Sequence, residues 1–104
     1  MRSGTKKGRR TLVVHARVDT AEVRTGGPRL GLIVSKAVGD AVTRHRVSRR
    51  LRHVSGPVLD TLPDDVRLVV RALPAAAVAG SDELDRDLRS AARVAAERAR
   101  EAVR

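Results

Sequence analysis

Residues 35–54 read SKAVGDAVTRHRVSRRLRHV and predict a helix that is apolar on one side and basic on the other. Asp40 follows Gly39, where its carboxylate can accept hydrogen bonds from the first free amides of a helix. An apolar residue recurs at i, i+4 and i+7, the spacing of a core-facing stripe. These residues are Val47, Leu51 and Val54. The opposite side carries a compact basic ridge that consists of Arg46, Arg49, Arg50 and His53.

The flanking sequence predicts three strands and a second helix. Gly56 and Pro57 are expected to end the basic helix, with one further turn over residues 58–62. β-Branched residues predict strands over 11–18, 29–35 and 66–73, and the short connection predicts that the first two pair antiparallel. Ser81 opens the last helix. The order β-β-α-β-α predicts an α+β fold, a two-layer sandwich with the helices on one face of the sheet.

Alternation along the three strands gives the sheet an inner and an outer face. The inner face takes Leu12, Val14, Ala16, Val18, Leu30, Leu32, Val34, Val66, Leu68, Val70 and Ala72. The outer face takes His15, Arg17, Arg29, Arg67 and Arg71, together with Val13, Gly31, Ile33, Ser35 and Val69. Two interpretations stay open at this point, a solvated outer face and a shallow basic trough for a nucleic acid strand.

Composition limits the classes of function. The chain has 104 residues, enough for one domain, and a formal net charge of +10, which points to a polyanionic partner. It has no cysteine, which excludes disulfides, thiolate zinc sites and a cysteine nucleophile and is typical of a cytoplasmic protein. No apolar run approaches the length of a membrane span. It also has no Phe, Tyr or Trp, although such rings usually stack on single-stranded nucleic acid.

The excess charge lies in two short segments. Residues 1–10 and residues 36–53 each carry a net charge of +5, and the remainder of the chain is balanced. We expect residues 1–10 to be a disordered basic arm and residues 11–104 to be a single RNA-binding domain. The arginines at 46, 49, 50 and 52 have no acidic i+4 partners, so their mutual repulsion favours a binding role over a solvated face.

The sequence predicts no catalytic or metal site in the protein. The three histidines, at 15, 45 and 53, have no matching nucleophile. The acidic run of Asp82, Glu83, Asp85 and Asp87 is interpreted as charge that complements the start of the last helix. Asp64 and Asp65 are interpreted as turn residues.

Residues 35–54 resemble the signature S-K-x-x-G-x-A-V-x-R-N-R-x-K-R-x-x-R of the protein subunit of bacterial ribonuclease P. The matching positions are Ser35, Lys36, Gly39, Ala41, Val42, Arg44, Arg46, Arg49 or Arg50, and Arg52. The preceding PRLGLIVSKAVG (residues 28–39) and the later LVVRALP (residues 68–74) match as well, and the resemblance covers about residues 9–95. It implies the β-β-α-β-α core of the ribonuclease P protein and ribosomal protein S5 domain 2-like type, with the first family helix absent or truncated.

The resemblance also implies a function: binding the catalytic RNA and the precursor-tRNA 5′ leader in a ribonucleoprotein endonuclease. In that family the RNA carries the chemistry with Mg²⁺ held by its phosphates, and the expected assembly is one protein per RNA, away from any membrane. The implied contacts to the catalytic RNA are Lys36, Arg44, His45, Arg46, Arg49, Arg50 and Arg52. The candidate contacts to the leader are His15, Arg17, Arg67 and Arg71. The alternative is a non-catalytic nucleic-acid-binding module of ribosomal-protein or nucleoid type.

This sequence departs from the family pattern in two places. His45 stands where the family has Asn, and Ser48 stands where Lys is common, so we expect an altered RNA contact at this point. The family also begins with a basic helix that carries an aromatic residue. Residues 1–10 match no such helix, which leaves Val13, Ile33 and Val69 uncovered. Either the natural start lies upstream, or this arm folds on RNA.

Overall fold

A computed structural model describes residues 5–19 and 29–102. These residues include four strands, two α-helices and a short 3₁₀ helix. The strands are β1 (Lys6–Gly8), β2 (Leu12–Val18), β3 (Leu30–Ile33) and β4 (Val66–Ala72). The α-helices are α1 (Ala41–Asp60) and α2 (Ser81–Ala102), and the 3₁₀ helix is Pro74–Ala77. The α+β class and the three predicted strands are confirmed, with strand ends within two residues of those expected.

The strands form one sheet in the order β1-β2-β4-β3. The prediction that β2 and β3 pair with each other is wrong, because β4 lies between them. β4 pairs antiparallel with β2 and parallel with β3, and α1 supplies the crossover that a parallel neighbour requires. β2 and β3 are joined by a short connection and belong to the same sheet, but they are not neighbours in it.

The core lies between the inner face of the sheet and the two helices. Strand residues predicted to point inward, such as Leu12, Val14 and Val70, are fully buried. α1 contributes its predicted stripe and Val58. α2 contributes Leu84, Leu88 and a row of five buried alanines: Ala91, Ala92, Ala95, Ala96 and Ala99. These small side chains let α2 pack close to the sheet, which is how a chain without aromatic residues fills its core.

The start of α1 has the predicted cap. Asp40 Oδ1 accepts a hydrogen bond of 2.8 Å from the Thr43 amide, and this bond lowers the pKa of the Asp40 carboxyl. Gly39 has a φ of 156°, and a Cβ at this position would lie 3.0 Å from Thr43 Cγ2. Glycine is therefore required at the turn that leads into the basic helix.

The predicted end of α1 at Gly56 and Pro57 is wrong, because the helix continues to Asp60 with Pro57 inside it. Burial of Val58 against the core favours this extra turn. Arg29 also stabilises it, since its guanidinium donates to the carbonyl oxygens of Leu59, Leu62 and Pro63, the last at 2.6 Å. Arg29 therefore caps α1 and does not extend the outer face of the sheet, where alternation had placed it.

Part of the basic arm that was expected to be disordered is a strand in the structure. Lys6–Gly8 pairs with β2 as an edge strand, and α2 holds the neighbouring residues. Arg10 Nε and Nη2 each lie 2.6 Å from a carboxylate oxygen of Glu83. The amide and hydroxyl of the buried Thr11 donate to Asp87 Oδ2 at 3.1 and 2.6 Å. Residues 1–4 lie outside the described part of the chain.

Neither α-helix of the described residues has a stretch long and apolar enough to span a bilayer.

Candidate nucleic-acid interface

The outward side of α1 is basic and carries no neutralising partners. His45, Arg49 and Arg52 are all exposed there. Among the described residues, the arginines that form ion pairs lie outside α1, namely Arg10, Arg67, Arg89 and Arg100. Within the described residues, the guanidinium groups of Arg49 and Arg52 therefore have no acidic partner.

The predicted ridge of four residues is divided in the structure. Arg46 and Arg50 are half-buried on the flank of α1 that faces the turn after β4. Arg46 Nη2 donates to the carbonyl of Ala77 at 2.9 Å, and Arg50 Nη1 donates to the carbonyl of Ala79 at 3.1 Å. His53 remains exposed. The prediction of one compact ridge is therefore wrong, because the turn after β4 packs against one side of α1.

Lys36 and Arg44 lie at the N-terminal end of α1. Lys36 is exposed in the turn before the helix, and its carbonyl accepts a hydrogen bond from the Gly39 amide. Arg44 is half-buried, and its Nε is buried without a hydrogen-bond partner among the described residues. The N-terminal end of the helix therefore adds an exposed ammonium and a half-buried guanidinium to the basic side chains of α1.

The outer face of the sheet interleaves apolar and cationic side chains. Strand pairing sets Val13 opposite Arg71, which in turn lies opposite Ile33. The next row runs from Lys6 through His15 and Val69 to Gly31. Ile33 and Val69 are 43% and 37% exposed, and a Cβ on Gly31 would meet nothing within 4 Å. This open surface, called the trough below, is compatible with both interpretations of the outer face.

The cations of this trough are not equivalent. Arg17 and Arg71 are exposed, whereas Arg67 lies opposite Arg17 and forms an ion pair of 3.6 Å with Asp19. Lys6 was missed by the sequence reasoning, which assigned it to the arm. Residues 6–8 read KKG and contain no β-branched or aromatic residue that would have indicated a strand.

His15 lies at the centre of the trough and has a lowered pKa. Partial burial is the main cause, followed by the positive charges of Lys6 and Arg71. The ring is therefore neutral near pH 7 and offers a flat polar surface to a base. A polyanion laid over the trough would reverse the effect of the two cations and favour the protonated form.

Three of the four acidic residues at the start of α2 contact neighbouring cations or donors. Glu83 binds Arg10, Asp87 binds Thr11, and Asp85 lies 2.9 Å from Arg89 Nε. Within residues 5–19 and 29–102, no three His, Cys, Asp or Glu side chains form a group that could hold a metal ion. The described residues thus provide cationic surfaces and no group of side chains that could hold a metal ion.

The chain is similar in sequence to known proteins. The family model described as Ribonuclease P matches residues 1–96. The chain is 50% identical over 111 residues to the ribonuclease P protein component of Nocardia farcinica, covering 89% of this chain and 71% of the relative. It is 52% identical over 99 residues to that of Kocuria rhizophila, covering 94% and 83%.

Solved structures share the fold. The RNase P protein of Staphylococcus aureus superposes with a TM-score of 0.67 at 24% identity, covering 86% of this chain and 79% of that one. The RNase P protein of Thermotoga maritima, in complex with a fluorophenyl thiourea, gives a TM-score of 0.65 at 18% identity, covering 80% and 78%. With the family model spanning most of the sequence and relatives about half identical to it, the chain belongs to the ribonuclease P protein component family.

Proposed function

We propose that the chain is the protein subunit of the ribonuclease P ribonucleoprotein and assists removal of the 5′ leader from precursor tRNA. The observation that carries the proposal is the unneutralised basic side of α1, in a chain that belongs to this family. Arg49 and Arg52, with Lys36 and Arg44 at the N-terminal end, bind phosphates of the catalytic RNA. His45 adds a hydrogen-bonding group to the same surface.

The trough on the sheet takes the single-stranded leader. Val13, Val69 and Ile33 offer an apolar floor, and Arg17, Arg71 and Lys6 offer cations to the phosphates. Arg67 contributes less, because Asp19 already neutralises it. With no aromatic residue in the chain, the neutral His15 ring and the guanidinium planes are the stacking surfaces.

In this proposal the RNA carries the chemistry. Mg²⁺ would supply charge stabilisation for phosphodiester hydrolysis, and the described residues do not fit as its ligands, because no three His, Cys, Asp or Glu side chains among them form a group that could hold a metal ion. RNA phosphates hold the ion instead. One protein binds one RNA. In this complex α1 contacts the catalytic RNA, and the trough is left for the leader. The positive charge of the protein offsets phosphate repulsion between the two RNAs.

Cleavage assays over a range of Mg²⁺ concentrations test the proposal. We expect the protein alone to cleave no precursor tRNA, and we expect it to lower the Mg²⁺ concentration at which a cognate catalytic RNA removes the leader. The physical reason is that protein cations replace part of the screening that Mg²⁺ otherwise provides. An unchanged Mg²⁺ midpoint with folded protein would favour the alternative of a nucleic-acid-binding module outside tRNA processing.

The lowered pKa of His15 predicts a pH dependence of leader binding. Bound leader raises this pKa, so the complex takes up a proton, and affinity rises by roughly threefold as the pH falls from about 7.5 to 5.5. The stability of the free protein changes in the opposite direction. It falls as the pH falls, because protonating a group whose pKa is lowered in the folded state destabilises the fold. Binding of precursor tRNA relative to mature tRNA, measured across this range, isolates the leader.

The matched controls for this pH dependence are two glutamine variants. His15→Gln should abolish the rise in affinity at low pH, whereas His53→Gln, at an exposed position on α1, should retain it. A pH dependence that survives in His15→Gln would show that His15 is not the group that takes up the proton on leader binding.

A further inference from the structure

The alanine-rich turn after β4, residues 74–80, reads PAAAVAG and is fixed to the body of the protein. Ala76 is fully buried and Ala79 is 3% exposed, so two small side chains anchor it in the core. Hydrogen bonds from the Val78 and Ala79 amides to the carbonyls of Ala75 and Ala76 hold its backbone. Val78, between the anchors, is 82% exposed. The turn is therefore anchored on both sides of Val78 and reaches the surface beside α1.

Two carbonyls of this turn hold two arginines of the basic helix. The Ala77 carbonyl accepts from Arg46 and the Ala79 carbonyl accepts from Arg50, at 2.9 and 3.1 Å. The arginines are one helical turn apart, and the two acceptors are two residues apart, so a single short segment orients both side chains. Each hydrogen bond uses one of the five N–H donors of a guanidinium, which leaves the others for a ligand.

We propose that this turn is a positioning element of the RNA interface, which sets the guanidinium planes of Arg46 and Arg50 before a phosphate arrives. The inference rests on the proposed function of α1. A side chain that is already ordered loses less rotamer freedom on binding, so an oriented arginine binds phosphate more tightly than a mobile one. Arg49 is the internal comparison, because it lies on the same helix, is exposed, and has no carbonyl partner among the described residues.

Charge-conserving substitutions separate orientation from charge. Arg46→Lys and Arg50→Lys should each weaken binding of the catalytic RNA by roughly five- to tenfold, because lysine has no planar fork to hold a carbonyl and a phosphate together. Arg49→Lys should stay within about twofold. The dependence of affinity on salt should be unchanged in all three variants, because the number of cations facing phosphates is the same.

Side-chain ¹⁵N relaxation of the free protein supplies the second readout. The Nε–H groups of Arg46 and Arg50 should be ordered on the picosecond to nanosecond timescale, and that of Arg49 should be mobile. Equal mobility of the three groups, or equal affinity of the three lysine variants, overturns the positioning role.

Alanine variants distinguish this failure from failure of the proposed function. If Arg46→Ala and Arg49→Ala each reduce the salt slope by about one contact, α1 binds the RNA whatever the lysine variants show. If neither alanine variant changes the slope, α1 is not the RNA interface and both proposals fall.

Discussion

The double variant Arg49→Ala/Arg52→Ala is expected to bind the catalytic RNA about two orders of magnitude more weakly than the native chain. Both guanidinium groups are exposed, and neither forms a hydrogen bond or ion pair within residues 5–19 and 29–102. Their removal therefore leaves no buried group without a partner. It also relieves repulsion within α1, so the thermal stability of the free protein should stay the same or rise slightly.

A filter-binding titration at several salt concentrations measures this loss. The slope of log K against log salt should fall by about two in magnitude, since two phosphate contacts are removed. Arg86→Ala/Arg93→Ala is the matched control, because these two arginines are also exposed but lie on α2. Equal losses from the two double variants would show that net charge, and not the surface of α1, determines binding.

The helices show what local sequence can and cannot predict. The start of α1 depended on a glycine and a cap within four residues of each other, Gly39 and Asp40 with Thr43, and it was predicted correctly. Its end depended on Arg29, more than 30 residues from the last carbonyl that it binds, and no local signal reports such a contact. The predicted pairing of β2 with β3 was wrong for a similar reason, because a loop of a given length is compatible with more than one order of strands in a sheet.

Some features of the candidate site follow from the sequence, and others depend on tertiary packing. The identity of the basic residues on α1 follows from the signature and its helical spacing. The difference between Arg49 and Arg46 does not, since it depends on where an alanine-rich segment packs after β4. Lys6 lies at the trough because α2 holds Arg10 and Thr11 and thereby positions β1. The sequence of β1 does not itself favour a strand.

The attachment of Thr11 to Asp87 provides the second large effect. Asp87→Ala is expected to lower the free energy of unfolding by about 2–4 kcal/mol, because the buried amide and hydroxyl of Thr11 both lose their acceptor. Urea denaturation of the purified protein measures this change. Asp87→Asn keeps a carbonyl oxygen in place and should cost less than half as much.

A double-mutant cycle with Thr11→Val decides whether this contact is the cause. Thr11→Val removes the hydroxyl, so it should be less destabilising in the Asp87→Ala background than in the native chain. Strict additivity would mean that Asp87 acts through the charge at the start of α2 and not through Thr11. Since β1 ends shortly before Thr11, Asp87→Ala should also increase amide hydrogen exchange at Lys6 and Lys7. The acidic run that resembles a simple helix-start signal would then be the element that holds a cationic strand at the edge of the trough.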